Sequence, residues 1–184
     1  MGSQLFSLER LDTPMGKMLI VTDEQDRLRA IDWEDKAQRM HKLLHEHYGK
    51  DAVELRETSR LSVATRALRD YFAGDMNAIA DLPTATNGTA FQRAVWAALR
   101  RIPAGRTQSY GELAKQLSLP TAARAVGFAN GSNPIAIVVP CHRVIGANGS
   151  LTGFAGGLER KRWLLTHEGA QCVSRGESQL EISL

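Results

Sequence analysis

The sequence predicts an α+β fold in two parts: an N-terminal α/β domain with a small antiparallel sheet, and a mostly helical C-terminal domain. Three observations carry that prediction. Residues 4–33 hold strand-like runs separated by turn signals. From Thr89 onward, short helical patterns with good caps follow one another. The run Ile135-Ala136-Ile137-Val138-Val139 is apolar and mostly β-branched, and reads as a short buried strand leading into Pro140-Cys141-His142-Arg143-Val144. The chain has 184 residues, enough for one large domain or two small ones. The expected division is 1–84, 85–170 and a flexible tail over 171–184.

In the first part, Leu5 to Leu11, Met18 to Thr22 and Leu28 to Trp33 form the expected meander, turning at Thr13-Pro14-Met15-Gly16 and Asp23-Glu24-Gln25-Asp26. Residues 35–48 follow as a helix with Met40, Leu43, Leu44 and His47 on one side and Gly49 as its stop. His41 and His45 lie four apart on it. With no Cys or third ligand nearby, and with Lys42 and Glu46 beside them, they read as a solvated face, not a metal pair. Ser59 caps a second helix running to about Phe72, and Leu82 to Thr89, rich in Pro, Gly and Thr, reads as a linker.

In the second part, Thr89 caps a helix that buries Phe91, Val95, Leu99 and Ile102, and Ser109 caps another from Tyr110 to Leu117. A third helix runs from Ala122 to about Asn130. The tight turn Ser118-Leu119-Pro120 gives the last two the dimensions of a helix-turn-helix. Ala122, Ala123, Ala125, Gly127, Ala129 and Gly131 leave the third helix almost without bulk, and Arg124 is its only charge. Such a surface suits shape-based contact in a minor groove better than a code of base-edge hydrogen bonds. The closing helix, Leu158 to about Glu168, ends at Gly169. Glu168 sits where the helix dipole disfavours a carboxylate, which an imidazole partner would explain.

Hydrophobic residues make up 43% of the chain and charged ones 23%, as in an ordinary soluble globule, and no apolar run approaches the ~20 residues of a membrane span. The N-terminus shows no secretory signal, and two cysteines, Cys141 and Cys172, are too few for a disulfide framework, so a reducing cytoplasmic setting is expected. Residues 1–84 carry 12 Lys+Arg against 15 Asp+Glu, net −3, whereas residues 85–184 carry 11 against 5, net +6. A basic half joined to an acidic one suggests that one half faces a polyanion. A thiol beside an imidazole at a strand end is a candidate nucleophile. Taken alone, such a pair more often marks a buried structural Cys next to a surface His.

These residues resemble the O6-alkylguanine-DNA alkyltransferases. The matching segments are Phe91-Gln92-Arg93 with Val95-Trp96, Ser109-Tyr110-Gly111, Ala122 to Gly127, Gly131-Ser132-Asn133-Pro134, Pro140 to Val144, and Gly156-Gly157 through Trp163 to Gly169. Residues 1–84 match only loosely, as the bacterial type, at Thr13-Pro14-Met15-Gly16 and Tyr71-Phe72-Ala73-Gly74. The resemblance implies direct, single-turnover repair of alkylated duplex DNA. The protein binds the minor groove, rotates O6-alkylguanine (and O4-alkylthymine) out of the stack, and moves the alkyl group irreversibly onto Cys141. By the same resemblance His142 takes the thiol proton through a water, Glu168 fixes the His142 tautomer, and Asn133 braces the turn. Tyr110 protonates the guanine nitrogen and rotates the phosphate backbone, and Arg124 fills the space the base leaves. Gln92, Tyr110, Gly111, Ala122, Ala123, Arg124 and Ala147 touch DNA, and Val144, Phe154, Ala155 and Gly156 line the alkyl pocket. Phe154 stands where many members have Tyr. No metal or cofactor is implied, and the expected state is a monomer, with cooperative loading on DNA left open. The alternative is a non-catalytic alkyltransferase-like damage-binding protein, a type that lacks the acceptor cysteine. A Cys-His hydrolase would need an oxyanion hole, and a sequence-specific regulator would need polar readers on the third helix.

Overall fold

The structure is a computed structural model and describes residues 3–171. Three strands, β1 (Gln4–Thr13), β2 (Gly16–Thr22) and β3 (Leu28–Trp33), form the expected antiparallel meander, in register Leu11 to Met18 and Ile20 to Ile31. A single 3-10 turn, Glu34–Lys36, leads into α1 (Ala37–Tyr48). Strand β4 (Val53–Glu57) then pairs with β1 in parallel, so the sheet is mixed, in the order β3-β2-β1-β4. The sequence reading missed β4, whose Val-Glu-Leu-Arg-Glu turns only Val53 and Leu55 inward, too short an alternation to stand out beside three charged residues. Helix α2 (Val63–Phe72) is capped by Ser62, not by Ser59: the Ser62 hydroxyl accepts from the Thr65 N–H at 3.1 Å.

Alternating side chains give the sheet two buried faces. Phe6, Leu8, Leu19, Val21 and Ala30 pack with Met40 and Leu44 of α1. Leu11, Met18, Ile20, Ile31 and Trp33 face the other way. They join Leu68 and Tyr71 of α2, and then Val95, Leu99, Leu113, Val126 and Leu164 of the second half, in one continuous core. The second half holds α3 (Ala90–Leu99), β5 (Gln108–Ser109), α4 (Tyr110–Gln116), α5 (Ala123–Gly131), a 3-10 turn at Cys141–Arg143, β6 (Val144–Ile145) and α6 (Leu158–His167). Thr89 and Ser109 each form a complete capping box, with Gln92 and Glu112 as the reciprocal partners. Between α4 and α5 the chain turns at Ser118, φ +60°. Ser118 N–H donates to Lys115 O at 2.9 Å and Leu119 N–H to Ala114 O at 2.9 Å. That fixes the helix-turn-helix.

The expected strand over 135–139 is not formed. Only Ile135 makes a bridge, in parallel to Ile31. Residues 136–139 coil into turns, Ile137 sits at φ +70°, and Cys141 opens a 3-10 turn. The run is apolar because it is buried on all sides, with Ile135 and Ile137 wholly enclosed, and burial alone does not distinguish a strand from a packed turn. The β3 edge is covered in pieces. Leu28 exchanges hydrogen bonds with Pro83 and Ala85, and Ile31 with Pro134 and Ala136. The segment read as a linker and the segment leading to Cys141 thus dock side by side on one sheet edge. The expected tail beyond Gln171, with Cys172, lies outside the described residues.

Candidate active site

Asn133 organises the approach to Cys141. Its Oδ1 accepts from Ile135 N–H at 2.9 Å, and its Nδ2 donates to Val139 O at 2.7 Å, pinning both ends of the strained turn around Ile137. A β-branched residue at positive φ costs about 1–2 kcal/mol, and the surrounding bonds must hold it there. Asn130 of α5 donates from Nδ2 to the Cys141 carbonyl at 3.4 Å, which ties the helix to the candidate nucleophile. Arg39 on α1 completes the support. It pairs with buried Asp32 at 2.7 Å and donates to the carbonyls of Gly131 at 2.9 Å and Asn133 at 3.0 Å, so a cation from the first half caps the C-terminus of α5.

Cys141 is 7% exposed and His142 wholly buried. The Nε2 of His142 lies 2.9 Å from Glu168 Oε1. Glu168 also receives two bonds from Arg143, Nε to Oε2 and Nη2 to Oε1, both 2.8 Å, and one from the Tyr71 hydroxyl at 2.8 Å. Burial favours the neutral carboxyl, but the bonds from His142 and Arg143 outweigh it and hold Glu168 well below the usual carboxylate range. An ionised Glu168 can only accept, so the His142 proton sits on Nε2 and Nδ1 presents a lone pair. Nδ1 is buried, with no hydrogen-bond partner among the described residues. Burial pushes the imidazole pKa down, against the pull of Glu168, and so keeps the ring a neutral base. Burial also pushes the Cys141 thiol up, opposed by the Asn133 side chain and by the charges of Arg39 and Lys161.

Tyr110 opens α4. Its hydroxyl lies 3.5 Å from Thr152 O, a long bond, and α5 passes its ring at Gly127, where an added Cβ would meet the ring at 3.8 Å. Burial pushes the phenol up, so it stays a proton donor. Val144 is buried, Gly156 is buried, and Phe154 and Ala155 are half-buried. Phe154 packs edge-on against Trp33 at 6.0 Å, and an added Cβ on Gly156 would meet both rings at 2.7 Å. Arg160 lies over Trp33 at 4.7 Å, pairs with Asp35 at 2.8 Å and donates to Gly156 O at 3.1 Å. Buried Lys161 donates to Val144 O at 2.6 Å and Thr152 O at 2.7 Å.

The structure therefore ties His142 to Glu168 and Asn133 to the turn leading into Cys141, and sets Tyr110 close enough for the Cys141 charge to act on its phenol. On the outer side Arg124 is exposed and Ala122, Ala123 and Gly111 are half-buried, while Ala147 is exposed at the turn after β6. Gln92 is differently engaged. Its amide serves the α3 capping box and donates to the Ser132 hydroxyl at 3.0 Å. Sequence reasoning missed Tyr71, Arg39 and Lys161. Tyr71 stood within a matching segment, Tyr71 to Gly74, but nothing in that segment points to a carboxylate 97 positions away. Among the described residues no three His, Cys, Asp or Glu side chains are grouped to hold a metal ion.

The sequence pattern described as 6-O-methylguanine DNA methyltransferase, DNA binding domain, matches residues 90–170, and that of the ribonuclease-like domain of the same proteins matches residues 8–86. A methylated-DNA–protein-cysteine methyltransferase of Shigella flexneri is 56% identical over 161 residues, covering 88% of this chain and 94% of the relative. One of Haemophilus influenzae is 40% identical over 164 residues, covering 89% and 87%. The crystal structure of Mycobacterium tuberculosis OGT in complex with DNA superimposes with a TM-score of 0.72 at 40% identity, covering 89% of this chain and 92% of that one.

Proposed function

The chain belongs to the 6-O-methylguanine DNA methyltransferase family, and on that premise we propose that it repairs alkylated duplex DNA by irreversible transfer to Cys141. The observation that carries the assignment of roles is the buried Glu168–His142 bond beside buried Cys141, with the lone pair of His142 Nδ1 unclaimed among the described residues. In this reading the thiol proton passes through a bridging water to Nδ1, and the resulting imidazolium is stabilised by Glu168. The sulfur attacks the alkyl carbon, the S–C bond forms and the C–O6 bond breaks. Tyr110 gives its proton to the ring nitrogen of the departing guanine and is reprotonated by the proton held on His142. The sum is thiol plus O6-alkylguanine giving thioether plus guanine.

Arg124 on the outer face of α5 fills the gap left by the extruded nucleotide, while Gly111, Ala122, Ala123 and Ala147 meet the duplex. For Gln92 the structure favours an indirect part, holding α3 to Ser132 at the end of α5. Val144, Phe154, Ala155 and Gly156 receive the alkyl group. A reducing cytoplasm suits a reaction that consumes a free thiol, and among the described residues no helix is long and apolar enough to cross a membrane. Incubating the protein with a duplex containing O6-methylguanine and weighing it intact tests the proposal. The expected result is a gain of one methyl group located on the Cys141 peptide. Tight binding without that gain would overturn it in favour of damage recognition alone.

A further inference from the structure

Helix α5 buries Val126, Ala129 and Asn130 and turns Arg124, Ala125, Phe128 and Gly131 outward. The sequence reading treated this face as smooth, and Phe128 breaks it. Its ring is 75% exposed, against 49%, 45% and 44% for Val63, Leu158 and Leu119, the other exposed large hydrophobic residues among those described. It lies outside both core clusters and, among the described residues, pairs with no other ring. Three residues away on either side stand Ala125 and Gly131, and an added Cβ on Gly131 would meet nothing within 4 Å. One turn earlier on the same face stands Arg124.

We propose that Phe128 is an apolar wedge that enters the minor groove beside Arg124 and pries open a neighbouring base step. This rests on the reading of α5 as the groove helix. The occupant is duplex DNA because the ring continues the surface that carries Arg124 in the basic half of the chain, and because the DNA-bound M. tuberculosis structure shares this fold. Side chains four apart on a helix have Cβ atoms about 5–6 Å apart, and bases along a strand are about 3.4 Å apart, so the ring meets the duplex about two steps from the gap that Arg124 fills. Phenylalanine is among the apolar side chains that unstack a step and bend the duplex towards its major groove. The small residues flanking it leave room for the sugar-phosphate walls on either side. A duplex already bent and unstacked nearby resists extrusion of the lesion less, so the wedge couples groove binding to base rotation.

The test uses the full chain carrying Cys141→Ala, which binds without reacting, and duplexes containing O6-methylguanine with 2-aminopurine one, two or three steps to either side. The expected result is a fluorescence rise about two steps from the lesion that Phe128→Ala abolishes and Phe128→Leu partly keeps. Phe128→Ala should also weaken duplex binding about five- to tenfold. Affinity within twofold of the parent with an unchanged fluorescence pattern would overturn the proposal, as would tighter binding, which would mark the ring as an obstruction. A change of sedimentation from dimer to monomer with unaltered DNA affinity would also overturn it and assign the patch to self-association. Failure of the underlying reading looks different: the chain with Cys141 intact would bind no duplex and gain no methyl group.

Discussion

Cys141 is a buried thiol whose pKa is raised, beside an imidazole whose pKa is lowered, and the pair sets a pH window. Between those two values the ground state is thiol plus neutral His142, and in the proposed mechanism an internal proton shift makes the reactive sulfur without taking a proton from or giving one to solvent. The rate of transfer should therefore be nearly flat from about pH 7 to pH 9, limits bracketed by the usual histidine and cysteine values. His142→Ala removes the internal acceptor. Its rate should fall at neutral pH and climb about tenfold per unit over the same interval, since thiolate then forms only by loss of a proton to solvent. Single-turnover rates on a methylated duplex across that range are the measurement, and a flat profile in the variant would remove His142 from its role. Tyr71 acts one step behind. Burial and the charge of Glu168 push its phenol pKa far up, so it always donates to the carboxylate that fixes His142.

Among the elements, the turn between α5 and Cys141 is the part that most depends on single side chains. Asn133→Ala leaves the Ile135 N–H without its partner, strips one of two donors from Val139 O, which keeps the Cys141 N–H, and releases a turn strained at Ile137. A buried donor left unpaired costs about 1–3 kcal/mol, so a loss of about 1–3 kcal/mol is expected in urea unfolding, with transfer slowed as well. Gly156→Ala tests the pocket loop differently. A Cβ at 2.7 Å from the rings of Trp33 and Phe154 forces one of them to move, at about 1–3 kcal/mol. The variant should melt lower and react more slowly, and an unchanged melting temperature would show that the loop is not held against Trp33. These elements also mark what a sequence reveals. The caps at Thr89 and Ser109 and the short turn at Ser118 are local, and each was legible from a few residues. The proposed nucleophile Cys141 and its proposed base His142 are adjacent, and Glu168 stood out by its place at a helix end. The run at 135–139 was misread because full burial looks alike in a strand and in a packed turn. Lys161 was missed because Glu159-Arg160-Lys161-Arg162 reads as a solvated face, and only the fold shows one of the four turned inward onto two carbonyls.

For the molecule as a whole, the first half acts as the frame of the site. Arg39 caps α5, Trp33 backs the pocket loop, Arg160 pairs with Asp35 across the two halves, and Tyr71 reaches Glu168. One core runs through both, so the two halves should unfold together. The same shared burial predicts how stability answers to acid. His142 and half-buried His47 are both shifted below the usual histidine value of 6.5, chiefly by burial, so the unfolded chain takes up protons there that the folded one refuses. Glu168 is shifted below the usual 4.5 and Asp23 below the usual 3.8, which extends the same bias to lower pH, while Asp32, raised by burial despite Arg39, opposes it. Where the unfolded state binds more protons, stability rises with pH. The histidine contribution is thus complete above pH 6.5 and declines below it, by up to about 1.4 kcal/mol per pH unit for each group. Urea midpoints measured at pH 7.5, 6.0 and 5.0 should fall in that order. His47→Gln should flatten the slope by the share of one histidine without touching the site, leaving the remainder to His142. A midpoint that rose from pH 7.5 to pH 6.0, above the usual range of Asp32, would mean that His142 takes up its proton in the folded protein. In that case it could not serve as the base for Cys141.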